Sequence, residues 1–222
     1  MKRLREFDLD YPGGDLPRRR DFRQQTRCVT SLFERLFPVF RTEKCWKILV
    51  ECVSEVGKPK LRDLLGVFTV QVEAQVEDFL RLDHEGKKGW ALDALTRGLD
   101  AVLAQTGWDC GPFQATIEEV RLNRLANYWQ WRNAVKSPGK GHSAAVFCSH
   151  QVDRCDIILV VYRSDGTETH RTCLVSTAPD EFDYAHLLGC LGWESDSVVF
   201  LENKEKDKKW HLDLRDSAKL GT

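Results

Sequence analysis

The chain has 222 residues, 42% of them apolar and 30% charged, with a formal net charge of −1. This excludes a disordered or membrane protein and one drawn to nucleic acid or an anionic membrane by overall charge, and it leaves length enough for a sizeable core. The longest apolar run, 157–162, is far short of a bilayer span, and the charged start (Met-Lys-Arg-Leu-Arg-Glu-Phe-Asp) holds no signal-peptide stretch. No membrane partner is expected, and cytoplasmic residence is. The eight cysteines are scattered, without a Cys-x-x-Cys, and read as reduced, buried thiols.

Residues 1–17, with Tyr-Pro-Gly-Gly and Leu-Pro, read as an arm or a short strand and turn. Apolar residues Phe22, Val29, Leu32, Phe33, Leu36 and Phe37 predict a helix over 18–37, ended by Pro38. Residues 45–53 suit helix or strand; the strict alternation of 66–74 favours a strand pair, with 54–64 as the connection. A short helix is expected at 76–82. A longer one comes next, capped by Asp83, running to about 105 and stopped by Gly107. Gly111-Pro112 opens another, with Glu118 and Glu119 towards its positive end, running to about 133. Ser137-Pro-Gly-Lys-Gly141 is linker-like, and the remainder of the chain is β-rich: 143–150, 156–163, 168–177, 197–203 and 209–214, interrupted by a helical turn within 180–189. The expected fold class is α+β, with a mainly helical part and a strand pair over 1–136 and an antiparallel meander over 142–222, as two domains or one continuous one.

The clearest local signal is the hairpin 156–176. Asp165-Gly166 suits the two central positions of a type I′ turn. That register pairs Arg163 with Glu168, Val161 with His170, Leu159 with Thr172 and Ile157 with Leu174. Residues 157–162 are apolar on both faces, as in a central strand.

Candidate chemistry is sparse. Cys148 and His150 share a strand face, and with Cys155, His170 and Cys173 could be imagined around zinc. However, His170 and Cys173 point to opposite faces, and no close ligand pairs occur. No nucleophile elbow, phosphate loop or zinc-protease motif is present, so no catalytic residue, metal or cofactor is assigned. Arg18-Arg19-Arg20 with Arg23 and Arg27 offers a basic stretch, but no nucleic-acid fold signature accompanies it. Tyr128, Trp129 and Trp131 cannot all share one side of a regular element, which places at least one of them at an interface or a domain seam. The sharpest feature is acidic: residues 172–203 carry six carboxylates and no Lys or Arg. Asp180, Glu181, Phe182, Asp183, Tyr184, Trp193, Glu194 and Asp196 mix carboxylates with aromatics and form the candidate partner-binding residues. Asp180 and Glu181 after Pro179 also suit a helix start.

Trp46-Lys-Ile-Leu-Val50, Leu65-Gly-Val67, Trp108 with Phe113, Phe147-Cys-x-His150, and Pro179-x-Glu-Phe182 leading to Leu188-Gly-x-Leu-x-Trp193 give a layout that resembles small cytoplasmic immunity proteins accompanying bacterial polymorphic or contact-delivered toxins. The resemblance implies a non-enzymatic protein that binds a cognate toxin, and it carries no residue-level role. The expected function is binding of a protein partner, a cognate toxin or another basic protein, through 180–196. The alternatives are a small enzyme using Cys148 and His150, and a nucleic-acid-binding accessory protein using the helix that holds Arg18–Arg27. The sequence leaves the oligomeric state open.

Overall fold

The computed structural model describes residues 1–216, and the chain is α+β. It divides into two compact units: Met1–Asn127 with Gln151–Asp153, and Tyr128–His150 with residues 154–216.

The first unit is built on a four-stranded sheet. Strands β1 (Lys2–Leu4) and β2 (Glu6–Asp10) lead into helix α1 (Leu16–Leu36), and β3 (Phe40–Thr42) returns to pair antiparallel with β1. Next come β4 (Lys47–Val53), β5 (Arg62–Leu64) and β6 (Val67–Glu73), giving the order β2-β4-β6-β5. The expected strand pair, β4 with β6, is present and runs parallel. Parallel neighbours need a crossover rather than a tight turn. Here β5 lies within that connection and forms a hairpin with β6. The sheet also recruits β2, in the stretch read as an arm or a short strand and turn, through a parallel pairing with β4.

Alternation decides which face is covered. Phe7, Leu9, Ile48, Val50, Cys52, Phe68, Val70 and Val72 point to one side and are buried, while Glu6, Asp8, Lys47, Glu51 and Gln71 point to the other. Helices α1, α2 (Val76–Arg81), α3 (His84–Thr106) and α4 (Gly111–Leu122) supply the rest of the core. Phe7 packs edge-on against Phe33 and Phe37 with centroids 4.7 and 5.0 Å away, and Phe37 meets Phe113 at 4.9 Å. Burying each such ring contributes about 1.5–3 kcal/mol.

The caps arise from local chemistry. Asp15 accepts from Arg18 N and starts α1 at Leu16, two residues before the expected start, and Asp83 accepts from Gly86 N at the expected start of α3. Gly107 ends α3 in the left-handed region (φ 68°), donating to Leu103 O. The last helix is shorter than its pattern suggests. It stops at Leu122 rather than about 133, because Arg124 and Leu125 both take positive φ (52° and 57°) and turn the chain away. Asn127 is then fixed in the core, donating to Cys28 O and Ser31 Oγ at 2.8 Å. Glu118 and Glu119 also lie beyond the first turn of α4, which holds no acid.

The β5–β6 turn is unusual. Leu65 (φ 53°) and Gly66 (φ 84°) both occupy the left-handed region between the paired Leu64 and Val67. That is the type I′ pattern, which favours Asn, Asp or Gly at its first central position. A left-handed Leu costs about 1–2 kcal/mol. Gly66 is required, since a Cβ there would lie 2.5 Å from Lys44 O.

In the second unit, β7 (Asn127–Gln130), β8 (Val135–Lys136), β9 (His142–His150), β10 (Cys155–Arg163) and β11 (Glu168–Thr177) form a sheet of order β11-β10-β9-β7, with β8 also on β9. After the short turn α5 (Glu181–Tyr184), strands β12 (Cys190–Trp193), β13 (Val198–Glu202) and β14 (Lys209–Asp213) form an antiparallel sheet. The core takes Val146, Cys148, Ile157, Leu159 and Val161 from the first sheet, and Val199 and Leu201 from the second. The linker-like Ser137–Gly141 is a turn, closed by Ser137 N on His142 O and Lys140 N on Ser137 O. The unit boundary accordingly falls at Asn127/Tyr128, before the stretch between 136 and 142.

The hairpin is present with a different turn. Gly166 N donates to Arg163 O and Gly166 alone has positive φ (86°), making a three-residue loop closed by glycine rather than a type I′ turn. Arg163 bonds to Thr167, and Tyr162 faces Glu168. A bulge then restores the expected pairs Val161–His170 and Leu159–Thr172. A second bulge sets Ile157 opposite Val175 instead of Leu174. Glu168 pairs with Arg171 at 2.7 Å, not with Arg163.

One contact in the first unit gives a direct test. Gly98 of α3 lies against β4 so closely that a Cβ would fall 2.2 Å from Val50 Cγ2. Gly98→Ala is expected to cost about 1–3 kcal/mol by overpacking, seen as a lower melting temperature. Measured in a Val50→Ala background, the same substitution should cost much less. An unchanged melting temperature for Gly98→Ala alone would contradict the close approach.

Candidate interaction surface

The acidic segment is built on a turn pinned from beneath. Pro179 is buried, and its carbonyl accepts from His150 Nε2 at 3.1 Å. Asp180 then caps α5, accepting from Phe182 N at 2.9 Å, and Ala185 N donates to Glu181 O at 2.9 Å. Tyr184, Leu187 and Leu188 face the core. Tyr184 meets His150 edge-on, with centroids 5.7 Å apart, and Trp129 at 6.2 Å. A short helix that buries Tyr184 must direct residue 182 the other way. Phe182 is 93% exposed, the most exposed aromatic among the described residues.

The other candidate residues have different roles. Trp193 is half-buried, donating from Nε1 to Val135 O at 2.9 Å and stacking on His142 at 6.4 Å. Glu194 is exposed but occupied: Lys209 Nζ lies at 2.6 Å and His211 Nε2 at 3.0 Å. Asp196 accepts from Gly139 N at 2.5 Å and so fixes the β8–β9 turn. The eight residues therefore do not make one surface. Asp180, Glu181, Phe182 and Asp183 share the α5 turn, Tyr184 supports it from within, and Trp193, Glu194 and Asp196 hold neighbouring strands. The partners Lys209, His211 and Gly139 come from segments outside 172–203, so the neutralisation of Glu194 has no signature in the local charge pattern.

The alternative sites have their own geometry. Cys148 and His150 are both fully buried, so a substrate has no approach to them while the sheet is intact. Burial pushes the thiols of Cys28 and Cys52 up to about 12 and that of Cys45 to about 11, and it raises Cys155 as well. Such thiols are poor nucleophiles at neutral pH. Cys110, Cys173 and Cys190 are exposed, so the thiols are not uniformly buried as expected. Among the described residues, no three His, Cys, Asp or Glu side chains are arranged to hold a metal ion. The basic stretch of α1 is met by acids: Arg18 by Glu77, Arg19 by Asp10, Arg23 by Asp8, and Arg27 by Asp8 and Glu34. It does not form the continuous basic face that a phosphate backbone requires. Of the three clustered aromatics, Tyr128 points outwards and stacks on Phe147 at 5.1 Å, while Trp129 and Trp131 pack on the core. No helix among the described residues is long and apolar enough to cross a membrane.

No family of known proteins, no curated protein and no solved structure matches the chain.

The Glu194 pairing has a pH signature. Hydrogen bonds from Lys209 and His211 hold its carboxyl below the ordinary value of 4.5. A carboxyl with a lowered folded pKa stabilises the fold above its unfolded pKa and loses that contribution as pH falls through the folded value. Wild type should therefore melt above Glu194→Gln at neutral pH, and the difference should shrink on acidification below about 4.5. A difference independent of pH would show that the ion pair is not its source.

Proposed function

We propose that the chain is a non-enzymatic protein-binding module whose contact surface centres on the α5 turn. On the resemblance noted in its sequence, the partner is a bacterial toxin that the protein neutralises by direct binding. The single observation that supports the reading is Phe182: a large aromatic 93% exposed on a turn whose opposite side is anchored by Tyr184. An exposed ring costs nothing to uncover and little to order, so it suits the role of a binding anchor. Asp180, Glu181 and Asp183 surround it with carboxylates, which would steer a basic partner and disfavour an acidic one.

The reading is tested by retaining a partner from cells that carry the toxin, then comparing variants of the tagged full chain. Phe182→Ser removes the ring without touching the buried side of the turn. Loss of the ring should weaken retention by about 30-fold, the scale of an interface hot spot. Asp183→Asn should mainly slow association and reduce its salt dependence. Growth of cells producing the partner should be rescued by wild type and not by Phe182→Ser. Equal retention and equal rescue by both variants would remove the α5 turn as the contact surface.

A further inference from the structure

We propose that the outward face of the β1–β3 ribbon, together with the Leu64–Leu65 turn, docks on an anionic membrane surface, resting on the bilayer without crossing it. The proposal is independent of the α5 surface and concerns the first unit alone.

Two local anomalies meet here. The first is electrostatic. Leu4 and Thr42 point inwards and are buried, so the alternating residues Arg3, Arg5 and Arg41 point outwards. Arg3 stands directly opposite Arg41 across the ribbon, and neither has an ion-pair partner among the described residues. Like charges in facing positions destabilise a strand pair. An external anion placed against the face would relieve that repulsion.

The second anomaly is the turn. Leu65 holds a left-handed backbone at 91% exposure, and Leu64 beside it is 73% exposed. Neither side chain contributes to a core, and the backbone position would suit Asn or Gly better. Trp46 ties the two features together. Its backbone N–H donates to Gly66 O at 3.0 Å and its indole N–H to Leu65 O at 3.0 Å, and the Arg5 guanidinium lies over its ring at 5.7 Å.

The arrangement is apolar at a turn tip, with tryptophan and arginine at its base. It matches the layers of a bilayer surface, where leucines enter the acyl boundary while tryptophan and arginine stay at headgroup level. Acids temper the field: Glu6 lies 3.6 Å from Arg5, Asp63 pairs with Lys44 at 2.6 Å, and Glu43 is exposed nearby. The cations left over are Arg3 and Arg41, so attachment needs the leucines as well and is reversible. An acidic protein could also meet this charge, but it would need a pocket shaped for the tip. A bilayer takes exposed leucines on a turn without shape matching, and it is the favoured occupant.

The test is sedimentation of the full chain with vesicles of equal parts phosphatidylcholine and phosphatidylglycerol, against vesicles of phosphatidylcholine alone. Wild type should sediment with the anionic vesicles and stay in solution with the neutral ones. Leu65→Asn removes the apolar tip while suiting the left-handed backbone, so it should keep or raise the melting temperature and weaken vesicle binding by about tenfold or more. Arg3→Gln with Arg41→Gln should weaken binding to the anionic vesicles. Wild type remaining in solution with the anionic vesicles would overturn the proposal and leave an acidic protein as the occupant. Leu65→Asn sedimenting as well as wild type would overturn it too.

Discussion

The first unit depends on a carboxylate almost withdrawn from water. The Asp10 side chain, at the end of β2 where the chain leaves for α1, retains 2% exposure. Removing a carboxylate from water costs several kcal/mol, which is tolerable only where a cation and good hydrogen bonds replace the lost solvent. Arg19 supplies both, with Nε on one carboxylate oxygen and Nη2 on the other. The same pattern repeats along the helix. Arg27 bridges Asp8 and Glu34, and Glu34 accepts from Phe7 N at 2.8 Å, satisfying a backbone donor on the edge strand. These pairs set the position of α1 along β2. They also explain a run of arginines at a helix N-terminus, where the dipole disfavours cations. The compensation comes from Asp8 and Asp10 on β2, from Glu77 on α2 and from Glu34 further along α1.

The same question, whether each charge is already occupied, sorts the second unit. Glu194 and Asp196 are engaged by Lys209, His211 and Gly139, and they keep strands and turns in place. Asp180 is engaged by the backbone of its own turn. What the fold does not absorb is the Phe182 ring. A row of acids in the sequence thus becomes a mostly structural set of acids around one exposed aromatic. The aromatic is the more informative feature, because the surface carboxylates are mostly engaged within the fold while the ring makes no contact that the fold uses.

Legibility followed the range of the interactions involved. Asp83 and Gly107 bracket α3 where expected, since a cap is decided within a few residues. The alternation of 67–73 gave β6 for the same reason. What the pattern could not carry was direction and partnership. That β4 and β6 are parallel, and that β2 completes the sheet, depends on the crossovers that connect them. The end of α4 is not legible locally, because the pull on Asn127 comes from Cys28 and Ser31, nearly a hundred residues earlier. The hairpin turn is one residue longer than its sequence suggests and a bulge restores the register, since burial of Val161 and Leu159 fixes the register more strongly than the loop does. At the candidate surface, the exposed face of α5 was legible only as composition. Which of its aromatics lay outside was decided by packing beneath Tyr184.

The places where local preference and observed structure disagree have a common form. Leu65 occupies a backbone position better suited to Asn, Arg3 faces Arg41, and Phe182 faces solvent. The two turns among them are held by side chains set behind them: Trp46 on the Leu65 carbonyl, and Tyr184 and the His150–Pro179 bond behind α5. An unfavourable local conformation persists only when its surroundings over-determine it. At both turns the surroundings do so, while leaving the apolar side chain outside. A fold selected for stability alone gains nothing by fixing a leucine or a phenylalanine in water. Rigid backing with an exposed apolar tip gains the isolated fold nothing from the tip, which is the physical basis of the two contact surfaces proposed above.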